Sequence, residues 1–399
     1  MNKGMMRIIV VFLVSVLFSA SAIAQDITGP WYGKLEIPGS PLRLVLHIER
    51  TESGYRSTLD SPDQGSTGIP VDTTTFENQK LDLFITALGL TYSGELSWGT
   101  FNGTFTQGGF SLPLELSREP ITAANLNRPQ EPKAPFPYYS EEVQFPNEDA
   151  NIRLAGTLTL PETSASGELG RFPVAVMITG SGPQNRDEEL SGHKPFLVIA
   201  DYLTRNGIGV LRFDDRGTEE STGDFKSATS ADFATDVQSA VTYLQTREDI
   251  DENKIGLIGH SEGGIIAPMV AANNKDIGFV VLMAGIGVPG SELLATQGRL
   301  IGKAAGQSNV DVETSAVIRQ RMIDMALESE DVPGLRKDLI TYLKSEAENE
   351  ETRKLVPAGV DVDQFIESQT NFMATDWMVY FLRYDPSEVL KNVACPVLA

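Results

Sequence analysis

The sequence predicts an α/β protein, with a mostly parallel sheet covered by helices on both faces, preceded by a small all-β barrel or sandwich domain. Three observations carry this. From Ile27 to Arg118, short alternating runs are cut by turn residues. A proline-rich stretch follows. Beyond it, unbroken apolar runs alternate with helix-length segments as far as Met283, the pattern of strands buried on both faces.

Residues 1–24 stand apart. Lys3 and Arg7 precede the apolar run Ile8–Val14, and Ala22-Ile23-Ala24 offers a small-residue cleavage site. This is the layout of a secretory signal peptide, with Gln25 as the first mature residue. The apolar run is short for a membrane span, and no later stretch is apolar for long enough to cross a membrane. The expected location is secreted or periplasmic.

Residues 25–118 form the β domain. In Leu42–Ile48, residues Leu42, Leu44, Leu46 and Ile48 share one face. Further strand-like runs are Gly54–Leu59, Leu81–Ile85, Leu90–Leu96 and Gly103–Thr106. Residues 119–137 form a linker, where Pro120, Pro129, Pro132, Pro135 and Pro137 resist helix and sheet. Residues 138–399 form the α/β domain. Its expected strands are Glu142–Pro146, Ile152–Leu160, Pro173–Ile178, Gly209–Phe213, Ile255–Ile258 and Phe279–Met283. Its expected helices are Pro195–Arg205, Ala231–Thr246 and Ile265–Ala272, with Thr229 and Asp232 spaced as a capping box. From about 290 to 383 the chain is helical and charged, too long for a connection, and reads as an inserted cap. The alternation resumes only at Pro396-Val397-Leu398.

The formal charge is −22; residues 1–24 hold two cations and no anion, so the remainder carries −24. A surface this acidic repels nucleic acid and anionic lipid. The only cysteine is Cys395, so no internal disulfide forms. With three His and one Cys there is little to build a zinc site from, and no cofactor is expected.

Gly259-His260-Ser261-Glu262-Gly263 matches G-x-S-x-G. The bare pattern is weak, but its context is that of a nucleophile elbow: a strand before, a helix after, small residues around a strained Ser. A phosphate loop would want a Lys before the Ser, and His260 stands there. Ser261 is therefore the candidate nucleophile. The Glu262 N–H at the helix start is one candidate oxyanion donor. The second comes from Thr179-Gly180-Ser181-Gly182-Pro183, where the Ser181 N–H is preferred and Gly182 is the alternative.

Four stretches carry a resemblance: Gly180–Asp187, Gly192–Phe196, Arg212–Gly217 and Gly259–Gly264. With Tyr384-Asp385-Pro386, they make the segment from Tyr138 onward resemble the α/β-hydrolases. Within these it is similar to bacterial secreted esterases grouped with serine aminopeptidase-like hydrolases. The resemblance covers about 260 residues. It departs at Glu219, where the family has the second Gly of Asp-Arg-Gly-x-Gly-x-Ser.

The resemblance implies a triad in the order Ser, Asp, His. It puts the Asp just after the strand that begins at Cys395 and the His one strand later. No His follows His260 in this sequence. His260 precedes the nucleophile and is expected to point into the packing beneath the elbow. His47 lies on a β-domain strand, and His193 is expected to bond local backbone. Asp214, Asp215 and Arg216 are expected to form an ion-paired turn at the pocket rim, as are Arg186 and Asp187. The expectation is a C-terminally truncated serine carboxylesterase for short-chain acyl esters, nearly inactive as given. Its partner is a small ester, and its oligomeric state is open. A peptidase or amidase of the same fold is one alternative; a catalytically dead secreted binding protein is the other.

Overall fold

The computed structural model describes residues 26–37, 41–52, 54–64, 66–85, 88–107, 110–121, 128–162, 171–190, 192–356 and 361–399. The expected signal peptide lies outside the described residues. Nine antiparallel strands come first: β1 (Gly29–Leu35), β2 (Leu42–Thr51), β3 (Gly54–Ser61), β4 (Ser66–Val71), β5 (Thr73–Glu77), β6 (Lys80–Ile85), β7 (Leu90–Ser97), β8 (Thr100–Gln107) and β9 (Phe110–Ser117). They form one sheet in the order β4-β3-β2-β1-β9-β8-β7-β6-β5. The sheet curls until β5, at one end, meets β3, next to the other end: the Thr74 hydroxyl donates to the Ser57 hydroxyl at 3.0 Å. Of the two expected forms, this is the barrel. Strand alternation fills its interior, with Leu42, Leu44, Leu46 and Ile48 all buried. Trp31 and Phe101 meet there with ring centroids 4.5 Å apart.

The second sheet contains β10 (Tyr139–Asn147), β11 (Ile152–Leu160), β12 (Phe172–Ile178), β13 (Gly209–Phe213), β14 (Ile250–His260), β15 (Ile277–Met283) and β16 (Val397–Leu398), in the order β10-β11-β13-β12-β14-β15-β16. The β10–β11 and β11–β13 pairs are antiparallel. From β13 to β16 every pair is parallel. All five residues of β13 are buried, as a strand covered on both faces requires.

Three helices cover this sheet: α1 (Pro195–Arg205), α2 (Ser230–Gln245) and α3 (Gly263–Asn273). At the start of α2 the Asp232 carboxylate accepts from the Thr229 N–H at 2.8 Å, the reciprocal half of a capping box. The cap follows: α4 (Gly290–Ala304), α5 (Asn309–Glu328), α6 (Val332–Glu346), α7 (Glu350–Arg353), α8 (Val362–Met373) and α9 (Asp376–Arg383), with α10 (Pro386–Leu390) leading back to the sheet. Asp331, Asp361 and Thr375 cap α6, α8 and α9 with their side chains. Ile265 and Met269 of α3 join the cap core of Met322, Ile323, Leu339 and Met373. Helix α3 is therefore clad on both sides, which is why Gly263–Ala271 is buried without a polar face.

The turn after β13 is ion-paired as expected at Asp214 and Arg216, but these two are buried instead of standing at a rim, while Asp215 lines a small cavity with Gly180 and Glu262. Asp214 accepts from Arg186 Nη2 at 2.6 Å, and Arg216 Nε donates to buried Asp236 at 2.7 Å. Each buried charge needs such a partner to be tolerated. Asp215 has no cation on it among the described residues. Its Oδ1 accepts from the Thr179 hydroxyl and its Oδ2 from the Gln184 N–H, at 2.7 and 2.8 Å. Burial pushes its carboxyl up from 3.8 to about 8.

Glu219 sits in this turn at φ 46, the left-handed region that disfavours a Cβ. A Gly would adopt it without strain. Glu219→Gly should therefore raise stability by about 0.5–1 kcal/mol, left-handed relief less the extra unfolded-state freedom of Gly. Equilibrium urea unfolding checks this. Asp215 adds a pH dependence. Between 3.8 and about 8 the folded state keeps a proton that the unfolded state has released. Its contribution is complete below that window and is lost as pH rises through it. Asp215→Asn should flatten the fall in melting temperature between pH 5 and pH 8.

Candidate active site

Three glycines bring the elbow together. Strand β14 ends at His260 and α3 begins at Gly263, so only Ser261 and Glu262 make the turn. A Cβ on Gly259 would lie 2.0 Å from the Gly263 carbonyl oxygen. One on Gly263 would lie 2.3 Å from the Ile178 oxygen, and one on Gly264 2.6 Å from Gly285 Cα. The strand, the helix and the end of β12 approach more closely than any side chain allows. Ser261 absorbs the bend at φ 51, a strained conformation for a non-Gly residue that costs about 1–3 kcal/mol. Two backbone bonds hold it: the Ser261 N–H donates to the Met283 carbonyl, and the Gly264 N–H to the Ser261 carbonyl, both at 2.9 Å.

The loop after β12 lies against this turn. A Cβ on Gly180 would sit 3.4 Å from Ser261 Cβ, 3.3 Å from His260 Nδ1 and 3.2 Å from Glu188 Oε1. The Gly180 N–H is engaged, donating to Glu188 Oε1 at 2.8 Å. Among the described residues the N–H groups of Ser181 and Glu262 have no partner. Ser181 is exposed, and Gly182 has φ 92. An unpartnered N–H at the first turn of a helix stabilises a nearby anion.

Buried Glu188 is a part of this site that sequence analysis missed. Its Oε1 also accepts from His260 Nδ1 at 2.7 Å, so one oxygen joins the loop to the elbow. This corrects the expectation for His260. Its side chain is 39% exposed and held by Glu188, not packed beneath the elbow. The sequence signal was slight, since Glu188 falls one residue beyond the Gly180–Asp187 motif. The Glu262 side chain was missed too. It is buried, and its Oε1 accepts from Ser230 Oγ at 2.6 Å and Trp377 Nε1 at 2.8 Å. It thereby ties the elbow to α2 and to cap helix α9.

The other histidines lie elsewhere. His47 Nε2 bonds Asp60 at 2.8 Å in the barrel. His193 exchanges backbone bonds with Leu190, and the residue is exposed. Ser261 Oγ has no side-chain partner among the described residues. Arg186 bonds Glu142, Asp214 and Glu220, and Asp187 bonds Arg212. Among the described residues no group of three His, Cys, Asp or Glu side chains could hold a metal ion, and no helix is long and apolar enough to cross a membrane.

Comparison with known proteins gives the following similarities. The family model described as serine aminopeptidase, S33, matches residues 194–336. Esterase EstD of Thermotoga maritima is 30% identical over 213 residues, 53% of this chain and 50% of that protein. An uncharacterized Escherichia coli O157:H7 protein, YfhR, is 24% identical over 188 residues, 46% of this chain and 61% of its own. The chain thus spans about half to three fifths of the curated relatives it matches. The solved Pyrococcus furiosus esterase Pf2001 aligns with TM-score 0.32 and 20% identity, over 44% of this chain and 62% of that one. This chain is thus similar to serine aminopeptidase-like hydrolases and to a bacterial esterase, and its second sheet is mostly parallel with helices on both faces.

Proposed function

We propose that this chain is a serine hydrolase for short-chain acyl esters, with Ser261 as its nucleophile. The observation that carries this is Ser261 at φ 51 on the turn between β14 and α3, beside the Gly180 loop. In this reading Ser261 Oγ attacks the ester carbonyl carbon and its proton leaves to a base. The N–H groups of Ser181 and Glu262 hold the oxyanion. Collapse expels the alcohol, which takes up a proton, and water then hydrolyses the acyl-enzyme. The cap, residues 290–383, would shape the pocket for the acyl or alcohol group.

A hydroxyl without a base is a poor nucleophile at neutral pH. His47 and His260 are bonded to Asp60 and Glu188, and among the described residues no hydrogen bond joins His193 to Ser261. We therefore expect the 399-residue chain to turn esters over slowly. The description of the matching family, serine aminopeptidase, favours a second reading, amide cleavage by the same chemistry. We also propose export, on the strength of the basic, apolar and Ala-x-Ala pattern in residues 1–24.

A fluorophosphonate probe should label the chain slowly, and Ser261→Ala should not label at all. Equal labelling of that variant would sink the assignment. Residual turnover should favour nitrophenyl butyrate over aminoacyl anilides; the reverse order would support the peptidase reading. The mass of protein recovered after bacterial export should correspond to a chain beginning at Gln25.

A further inference from the structure

A cavity of about 450 Å³ lies between the cap and the barrel, within the size range of small-molecule sites. Helices α5, α6 and α8 supply most of its wall, and Phe84 and Leu88 of the barrel close one side. Neither Ser261 nor the 180–183 loop contributes to it. The wall is mainly apolar, with Ile318, Met322, Leu343 and Ile366 in its depth. Two apolar side chains are left open to solvent there: Phe372 is 54% exposed and Leu88 40%.

Among the described residues two charged side chains line this cavity, Arg319 and Glu346. Arg43, Arg186, Arg216 and Arg247 each hold a carboxylate. Arg319 holds none among the described residues. Its Nη1 is buried without a hydrogen-bond partner. Burial, then the like charge of Arg299, both work against its cationic form. Arg299 is itself paired with Glu313 at 3.4 Å, and Glu346 is hydrogen-bonded to Tyr342.

The guanidinium also has a prepared seat. A Cβ on Gly298 in α4 would lie 2.2 Å from Arg319 Cζ and Nη1. Gly inside a helix is destabilising relative to Ala; here it makes the room in which the guanidinium lies against the α4 backbone. An unpaired, partly desolvated cation is unfavourable. A carboxylate matching its planar fork would relieve it.

We propose that this cavity binds an amphiphilic monocarboxylate, its head on Arg319 and its hydrocarbon tail among Ile318, Met322, Leu343 and Ile366. One guanidinium in a wall that also holds Glu346 suits a single negative charge better than a dianion. The apolar depth suits an unbranched or aromatic tail. This site does not depend on the assignment of Ser261.

The test is calorimetric titration of the full chain with decanoate, decanol and decyl phosphate, below their aggregation concentrations. Decanoate should bind about tenfold or more tightly than decanol, as a charge-assisted pair requires, and more tightly than decyl phosphate. Arg319→Gln should abolish the preference over decanol and leave decanol binding unchanged. Because it removes an unpaired cation, it should also melt no lower than the parent without ligand. Ile318→Trp, which fills the cavity, should weaken both ligands. Ser261→Ala should bind decanoate like the parent, separating this site from product held at the elbow. Absence of binding, equal affinity for decanoate and decanol, tighter binding of decyl phosphate, unchanged decanoate affinity in Arg319→Gln, or loss of binding in Ser261→Ala would each overturn the proposal.

Discussion

The structure around the candidate site depends on backbone crowding at Gly259, Gly263 and Gly264. These residues let β14, α3 and the end of β12 meet at distances that exclude a side chain. With no room to turn gradually, the chain reverses at one residue, and Ser261 takes up φ 51. The strain is held by what surrounds it. β15 accepts the Ser261 N–H through Met283, and α3 begins at once beneath the turn. The same crowding puts the Gly180 loop within van der Waals reach of Ser261 and His260. The nucleophile candidate, the helix N-terminus and the loop are thus set by one packing arrangement.

Around this turn, buried carboxylates act as joints. Glu188 links the Gly180 loop to His260 through one oxygen. Glu262 links the start of α3 to α2 and to the cap through Ser230 and Trp377. Asp214 and Asp236 neutralise Arg186 and Arg216, and Asp215 bonds the start of the loop through Thr179. In a low-dielectric interior these bonds are strong when complete and costly when broken. They hold a loop with little regular structure in one conformation. The cap is coupled to the elbow by the same means, because α3 is apolar on both its sheet-facing and cap-facing sides.

The excess of acidic residues has a structural counterpart. Most buried or half-buried arginines have a carboxylate to hold, and Arg319 is an exception. It lies where the cap faces the barrel, beside exposed Phe372 and Leu88. The barrel thereby forms part of a cavity wall as well as a domain of its own.

Much of this was determined by local sequence. Alternation in Leu42–Ile48 specified a half-buried strand, and the apolar run of β12 a strand covered on both faces, because side-chain periodicity follows backbone geometry. Gly-x-Ser-x-Gly between strand and helix specified the elbow, because only glycine tolerates that crowding. What the sequence could not determine depends on partners distant along the chain. The choice of barrel over sandwich needed β3 to meet β5. The burial of Asp214 and Arg216 needed Arg186 and Asp236 brought to them. The place of His260 needed Glu188, 72 residues away, and the unpaired state of Arg319 needed every neighbouring helix in position. A residue's spacing is local, whereas its burial and its charge partner are properties of tertiary packing.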